Sequence, residues 1–371
     1  MTKRTGVGII GAGTISDEYL GNLTRFPALE VRFIADLDTD RAAAQAAKWG
    51  VPASGATEQL LADPDVDIVV NLTIPAVHVE VAKQAVAAGK HVWGEKPYAL
   101  DRESARELAE LAHSEGVRVA VAPDTFLGPG LQTALRAVKE GTIGTPVSGL
   151  ALFQTPGPES WHPSPEFLFA RGAGPMFDVG PYYLTALVQV FGAARRVSAT
   201  GSKARETRVI GSGPKAGREF PVEVPTHVNA LIEFESGASA LAVFSFDSQL
   251  RHTVIEIEGT DGAAAFPDPN MFEGDTVLHL PGDETRTIAA GRAASTRGTG
   301  VAEFAEAIRT GRRERVPGEL AIHVLDIMVS ISEAIDAGTP VDVASTVEAS
   351  DLLDLEWDPT VDPARAAASS T

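Results

Sequence analysis

GIIGAGTIS, residues 8–16, decides how the first third of the chain is read. The apolar run Gly6–Ile10 stops at Gly11-Ala12-Gly13, and a helical segment follows. Gly11 permits the tight turn, and Gly13 lets backbone approach a pyrophosphate at the N-terminus of the following helix. Ser16 stands where the full Gly-x-G-x-x-Gly fingerprint has its third glycine. A second apolar run, Glu30–Ala35, ends at Asp36. A carboxylate at that strand tip can accept both ribose hydroxyls of an adenosine and repels a 2′-phosphate. The competing reading makes Asp36 an ordinary turn residue, in a loop that also holds Asp38 and Asp40. Context favours a dinucleotide site, with NAD preferred to NADP.

Working outward, Asp67–Leu72, His91–Trp93 and Arg118–Ala122 are further short apolar runs. Helical stretches over Asp38–Trp49, Ala76–Ala88 and residues 101–114 separate them. In the last, Ala105, Leu108, Ala109 and Ala112 form one apolar stripe, with Asp101 as N-cap and Gly116 as stop. Repeated β-α-β units predict a parallel, doubly wound sheet, with ligands outside the carboxyl ends of its strands. The texture then changes. After a helix at Leu131–Glu140 and a Gly/Pro-rich stretch through Glu159 come strands without intervening helices: Val228–Glu235, Ala238–Phe246, Thr253–Glu258 and Thr276–Leu280. Alternation of Thr253, Ile255 and Ile257 with Glu256 and Glu258 predicts an antiparallel sheet with one wet face. Helices at Val301–Thr310 and Glu319–Ala337 close the fold. The expected organisation is α/β: a Rossmann dinucleotide-binding domain over 1–122, then an α+β domain over 123–357 with a large, mostly antiparallel sheet. The final helices are free to pack back on the first domain, and 358–371 forms a mobile tail.

Bulk properties narrow the partner. The 371-residue chain is 44% hydrophobic and carries a formal net charge of -19. Such a charge argues against a polyanionic partner such as nucleic acid. No apolar run reaches membrane-spanning length. MTKRTGVGIIGAG reads as a strand rather than a signal peptide. There is no cysteine, which removes disulfides, thiolate nucleophiles and cysteine-ligated metals and fits a cytoplasmic protein. The expected partner is a small molecule.

Two further stretches carry chemistry. In KHVWGEKPYAL, residues 90–100, the strand gives way to Glu95-Lys96-Pro97 on the same sheet edge as Gly11–Gly13 and Asp36. A lysine there can hydrogen-bond a substrate hydroxyl or lower the pKa of a neighbouring acid; alone, the motif also reads as a surface Lys-Glu pair. SWHPSPEFLFARGAGPMFDVGPYYL, residues 160–184, gathers Trp161, His162, Asp178, Tyr182 and Tyr183. The alternative there is a packed corner, with Asp178 capping a helix that starts near Pro181.

GAGTIS with Asp36, then NLTIPAVH, then GKHVWGEKP, in this order and spacing, resembles the Gfo/Idh/MocA-type oxidoreductase family. EGTIGTP (140–146), GAGPMFDVGPYYL and EGTDGAAAF (258–266) are similar to its second domain, so the resemblance covers nearly the whole chain. It implies an NAD- or NADP-binding enzyme acting on sugars, cyclitols or related polyols. By that resemblance Gly11, Gly13, Thr14 and Ile15 contact the cofactor through backbone and Asp36 through its side chain. Leu72, Thr73 and His78 match the loop beside the cofactor, and Glu95 and Lys96 the pair by the nicotinamide. Asp178 and Tyr182 match the family's Asp-x-Gly-x-His with tyrosine in place of histidine, as in the branch containing glucose–fructose oxidoreductase and dimeric dihydrodiol dehydrogenase. Tyr182 is then the acid/base, Lys96 its electrostatic partner, and Asp178 the residue that orients substrate. Trp161 and His162 line the substrate pocket, and Asp124 replaces a basic residue near substrate. A homodimer or homotetramer through the C-terminal sheet is implied, and no metal is needed. Two rivals share the fold: an NAD-dependent glycosidase that oxidises its sugar transiently, and a non-catalytic dinucleotide-sensing regulator. The choice between Tyr182 and Tyr183 rests on the motif match.

Overall fold

The computed structural model describes residues 3–292 and 294–361. Most of the expected tail, residues 362–371, lies outside the described residues. The chain divides into two compact units. The first holds residues up to 129, 291–322 and those from 350 on; the second holds 130–290 and 323–349.

In the first unit, β1 (Thr5–Ile10), α1 (Thr14–Leu23), β2 (Leu29–Ala35), α2 (Thr39–Trp49), β3 (Ala53–Gly55), α3 (Thr57–Leu61), β4 (Ile68–Asn71), α4 (His78–Ala87), β5 (His91–Gly94), α5 (Arg102–Ser114) and β6 (Val119–Val121) alternate along the chain. The strands form one parallel sheet in the order β3-β2-β1-β4-β5-β6. Its core strands are apolar on both faces: Val7, Ile9, Ile34, Ile68, Val69, Val70 and Trp93 are buried, as a sheet covered by helices on both sides requires. Register pairs Gly55 with Ala35, Ala35 with Ile10, Ile10 with Asn71, Asn71 with Gly94 and Gly94 with Val121. All six strands therefore stop in one row. Topology reverses between β1 and β4, where such sheets open a crevice. The sequence reading found this sheet except for the three-residue edge strand β3.

The second unit opens with α6 (Pro129–Lys139), β7 (Pro146–Gln154) and α7 (Gly174–Phe191), and continues through β8 (Ala194–Ser202), β9 (Thr207–Val209), β10 (Glu219–Pro221), β11 (His227–Phe234), β12 (Ser239–Ser245), β13 (His252–Gly259), β14 (Gly262–Ala265), β15 (Thr276–Leu280) and β16 (Glu284–Ile288). Helix α8 (Thr299–Thr310) and the start of α9 (Gly318–Ala337) belong to the first unit, and the rest of α9 leads to β17 (Val341–Asp342) in the second. Nine strands form a sheet ordered β16-β15-β14-β13-β7-β12-β11-β8-β17, in which only β7 and β12 run parallel. Residues Ile255 and Ile257 are buried while Glu256 and Glu258 are exposed, the alternation expected of β13. Helix α7 covers one sheet face: Gly149 of β7 meets Phe191 and Leu187, where a Cβ would lie 3.0 Å from the Phe191 ring. On the opposite face Leu231 and Leu241, paired across β11 and β12, are 44% and 46% exposed.

Two elements depart from the sequence reading. The stretch before Glu159 contains β7, the central strand, whose side chains show no clean alternation of buried and exposed. Helix α7 starts at Gly174 rather than near Pro181, so Pro181 lies inside it and Asp178 in its second turn, not at a cap. Gly174 has φ +87°, with Pro175 directly after it, and this glycine-proline pair makes the start. Pro181 has no N–H for the Phe177 carbonyl.

A buried arginine ties the long loop after β7 to the sheet. Arg208, its side chain 2% exposed, forms ion pairs with Glu159 and Asp247. It also donates to the carbonyls of Pro156 at 3.0 Å and Phe246 at 2.9 Å, and lies over the Phe169 ring. Phe169 belongs to an apolar cluster with Leu168, Ile210, Phe220, Val222 and Phe246. Removing one partner of a buried ion-pair network leaves uncompensated charge, which is far costlier than losing a surface pair. Arg208→Met is expected to lower the unfolding free energy by about 3–5 kcal/mol in a urea titration; a loss below about 1 kcal/mol, the range of an exposed pair, would show the tie to be dispensable.

Candidate active site

The row of strand ends in the first unit collects most of the residues singled out from the sequence. Gly11 has φ +106°, and a Cβ there would lie 2.7 Å from the Leu72 carbonyl, so this position requires glycine. Gly13 is the N-cap of α1, no side chain caps it, and a Cβ there would meet nothing within 4 Å. An uncapped helix N-terminus with open space beside it is suited to an anion, and Thr14 and Ile15 form its first turn. Ser16 explains the missing third glycine. Its buried hydroxyl donates to the Gly13 carbonyl at 2.6 Å and accepts from Gln45 Nε2 at 3.1 Å, joining α1 to α2.

Asp36 lies at the end of β2, 7% exposed, with every lone-pair direction engaged. The N–H groups of Ala12 and Asp38 donate to Oδ2 and Oδ1 at 2.7 and 2.9 Å. Arg41 donates to the same oxygens, through Nη2 at 2.6 Å and Nε at 3.3 Å. Burial pushes the Asp36 carboxyl up, but these bonds, led by Arg41, hold it below the usual carboxylate range. Beside it Leu37 is fully exposed, and Ile74, in the loop after β4, is 67% exposed. Two large apolar side chains left in water at a sheet edge suit the flat face of a bound base.

Asn71 organises the loop after β4. Its Oδ1 accepts from the Thr73 N–H and hydroxyl at 3.2 and 2.6 Å, and its Nδ2 donates to the His78 carbonyl at 3.0 Å. Leu72 is buried and Thr73 half-buried. His78 is 4% exposed, and its ring bridges the carbonyls of Thr73 at 2.9 Å and Pro97 at 3.0 Å. That geometry makes His78 a strut between the loops after β4 and β5. Glu95 and Lys96 leave β5 half-buried. Glu95 Oε1 accepts from Tyr19 Oη at 2.7 Å, and Oε2 from the Lys96 N–H at 3.1 Å. Tyr19, in α1, is wholly buried, and Trp93 Nε1 lies 3.4 Å from its hydroxyl.

Asp124 occupies a different setting from the substrate contact expected of it. It has no exposed surface, and its Oδ2 accepts from the N–H groups of Gly298 and Gly300 at the start of α8, at 2.9 and 3.1 Å. Oδ1 has no hydrogen-bond partner among the described residues, and Arg297 Nη1 stands 3.8 Å away. Burial pushes the carboxyl up to about 6 against the opposing pull of Arg297 and the two amides.

In the second unit, Asp178 and Tyr182 are four residues apart on α7 and so share a helix face. Tyr182 is 6% exposed, whereas Tyr183 is wholly buried. The Tyr183 ring packs on Phe153 and Phe244 at centroid distances of 6.2 and 5.9 Å, and burial raises its phenol pKa. Trp161 and His162 sit on the loop held by Arg208, and Phe167 extends the group. Ring centroids are 5.6 Å apart for Trp161–His162 and 5.5 Å for His162–Phe167, with Trp161 66% and Phe167 54% exposed.

Residues 5–123 match the oxidoreductase family with an NAD-binding Rossmann fold, and residues 131–265 match the GFO/IDH/MocA C-terminal domain. The chain belongs to the GFO/IDH/MocA oxidoreductase family. It is 26% identical over 357 residues to an uncharacterized oxidoreductase, YrbE, of Bacillus subtilis (strain 168), covering 93% of this chain and 98% of that protein. It is 29% identical over 265 residues to the trans-1,2-dihydrobenzene-1,2-diol dehydrogenase of Bos taurus, covering 71% and 74%. Levoglucosan dehydrogenase in complex with NADH and L-sorbose superposes with a TM-score of 0.81 at 22% identity, over 93% of this chain and all of that one, which establishes the shared fold. The protein is therefore an oxidoreductase of an NAD-binding family, with a Rossmann sheet followed by a large, mostly antiparallel one.

Reasoning from sequence missed Tyr19, Leu37, Arg41, Ile74 and Phe167. Arg41 alone carried a visible signal, being a cation in the first turn of a helix, where the dipole disfavours it. The others became notable only through exposure or a tertiary contact. Asp124 supplies a test of the site's foundation. A carboxyl raised in the fold stabilises it below its ordinary pKa, near 4, and that contribution is lost as pH rises through about 6. Asp124→Asn has no such loss. Its unfolding free energy relative to wild type should climb by about 2 kcal/mol between pH 4 and 7, measured by denaturant titration across that range; a pH-independent difference would remove the buried charge from the account.

Proposed function

We propose that this enzyme interconverts a secondary alcohol and a ketone on a sugar, cyclitol or glycoside, using NAD, with Tyr182 as acid/base and Lys96 as its electrostatic partner. The observation that carries the reading is the division of labour between the twin tyrosines: Tyr182 shares a helix face with Asp178, while Tyr183 is sealed among Phe153 and Phe244. The names of two relatives, trans-1,2-dihydrobenzene-1,2-diol dehydrogenase and 1,5-anhydro-D-fructose reductase, support a diol- or sugar-like substrate.

The residues at the sheet edge fit the dinucleotide. The N-terminus of α1 beside Gly13 would hold its phosphates, Asp36 its adenosine ribose, Leu37 and Ile74 its adenine, and Glu95 and Lys96 its nicotinamide end. When bound, the nicotinamide accepts or returns the hydride at the substrate carbon. Tyr182 takes the proton from the substrate hydroxyl on oxidation and gives it back on reduction. A free phenol, with a pKa of about 10, is a weak base at neutral pH. An ammonium such as Lys96 favours the phenolate by opposite charge, and Asp178 orients a neighbouring hydroxyl of the polyol. Tyr19 holds Glu95, whose other oxygen takes the Lys96 N–H, so the loop keeps its shape as substrate comes and goes. Thr73 and His78 brace the adjoining loop. Asp124 supports the edge from beneath, through α8, rather than by touching substrate. Trp161 and His162 offer aromatic faces to the apolar side of a sugar ring.

Purified protein with NAD or NADP, screened by absorbance at the reduced nicotinamide band against sugars, cyclitols and glycosides, tests the reading. Tyr182→Phe and Lys96→Ala should each lower kcat by about two or more orders of magnitude, Tyr182→Phe with NAD affinity nearly intact. Tyr183→Phe should keep both activity and stability, since it deletes only a buried hydroxyl. Full turnover in Tyr182→Phe would refute the acid/base assignment. Glycoside cleavage without accumulation of NADH would point to the redox-assisted glycosidase instead.

We also propose a cytoplasmic homodimer or homotetramer assembled through the uncovered face of the nine-stranded sheet. Leu231 and Leu241 are its exposed apolar pair, and like charges in an apolar interface are strongly unfavourable. Leu231→Glu with Leu241→Glu should give a folded monomer by light scattering, and an unchanged mass would reject this face as the interface.

A further inference from the structure

We infer that Tyr19 is a positioning residue for the reaction: it holds the Glu95 carboxylate away from the adjoining Lys96 ammonium, so that the lysine charge acts on the acid/base and not on its neighbour. The inference rests on the roles proposed for Lys96 and Tyr182. Tyr19 has no exposed surface, so it reaches substrate only through the residues it touches.

A glutamate and a lysine side by side at a strand end would ordinarily neutralise each other. Glu95 and Lys96 are both half-buried, and opposite charges attract more strongly there than in open water. A pair of that kind would leave Lys96 with little field to offer a phenol. Glu95 is committed elsewhere. Its Oε1 accepts from Tyr19 Oη at 2.7 Å, and its Oε2 from the backbone N–H of Lys96 at 3.1 Å. The second contact is local to the turn, whereas the first comes from α1, 76 residues earlier in the chain.

The Tyr19–Glu95 bond runs in one direction. An indole N–H donates and never accepts, and Trp93 Nε1 lies 3.4 Å from Tyr19 Oη. A Tyr19 lone pair therefore faces Trp93, and its proton faces Glu95. Burial, reinforced by the charges of Glu95 and Asp124, raises the Tyr19 phenol pKa well above its usual value, so Tyr19 stays a donor at every working pH. The other charges at this edge, Asp124 and Arg297, stand 3.8 Å apart and oppose each other. Without the Tyr19 hydroxyl, Glu95 keeps its charge and a flexible stem but loses its anchor, and the ammonium one residue on becomes its partner. A carboxylate beside Lys96 then cancels the field that favours phenolate on Tyr182, and that phenol becomes harder to ionise.

Phenolate absorbance in the near ultraviolet, followed against pH on the purified protein with NAD present, tests this without any substrate. The chain has four tyrosines, and burial raises the phenols of Tyr19, Tyr98 and Tyr183. Wild type should therefore show one phenol titrating ahead of the rest, and Tyr182→Phe should abolish that step. Tyr19→Phe should move its midpoint up by about one pH unit or more. The acid limb of kcat for alcohol oxidation should move with it, so that the variant regains wild-type turnover at higher pH. In a Glu95→Gln background the same Tyr19→Phe change should leave the midpoint in place, because an amide cannot neutralise Lys96. An unmoved midpoint in Tyr19→Phe, a kcat lowered equally at every pH, or a shift that persists with Glu95→Gln would each overturn the role and leave Tyr19 a core residue. Should Tyr19→Phe fail to fold, Glu95→Gln alone decides: its midpoint should stay within about half a pH unit of wild type, and a move of about a full unit either way would overturn the inference. A wild type with no early phenol, or with one that survives Tyr182→Phe, would overturn the acid/base reading on which it stands. Circular dichroism at each pH keeps alkaline unfolding from imitating a titration.

Discussion

Parallel strands can be joined only by crossovers, so a parallel sheet delivers the carboxyl ends of all its strands to one edge. Most of what this protein does chemically in its first unit follows from that constraint. Because Gly55, Ala35, Ile10, Asn71, Gly94 and Val121 stand in one register row, the segments that follow them start side by side. Each contributes a different group: a helix N-terminus after β1, a carboxylate after β2, a braced loop after β4 and a Glu-Lys pair after β5. None of these groups has the others as sequence neighbours.

The edge is held by polar ties that run across it. Tyr19 reaches from α1 to Glu95, His78 reaches from the loop after β4 to Pro97, and Asn71 fastens its own loop at both ends. A loop supported in this way presents fixed groups rather than an ensemble, the arrangement that catalysis by orientation demands. Asp124 performs the same service with the amides of Gly298 and Gly300 at the start of α8, 174 and 176 residues further along the chain.

What could be read from sequence follows from how local each signal is. The Gly11–Gly13 turn, Asp36 and Glu95-Lys96 announce themselves because strand, turn and helix periodicity surround them. Strand β7 did not: only Ala151 of it is buried, so no apolar face marks it, and Gly149 and Pro146 dilute its apolar character. Helix α7 was legible only from Pro181 on, since a glycine-proline start and an internal proline both imitate a loop. The surroundings of Asp124 were invisible for a different reason. The resemblance suggested a substrate contact for this acid; its hydrogen-bond partners are instead the amides of Gly298 and Gly300 at the start of α8. The motif match already set Tyr182 apart from Tyr183, and the structure adds that the Tyr183 ring packs on Phe153 and Phe244.

The long loop after β7 is fastened at its root and free at its tips. Arg208 grips it through the Pro156 carbonyl and Glu159, over the ring of Phe169, whereas Trp161 and Phe167 stand mainly in water. Substitutions at exposed positions away from caps and cores change stability little. The rings that face solvent can accordingly drift over evolutionary time while the root stays constant, and the same chassis can be refitted for a new molecule without refolding the protein around it.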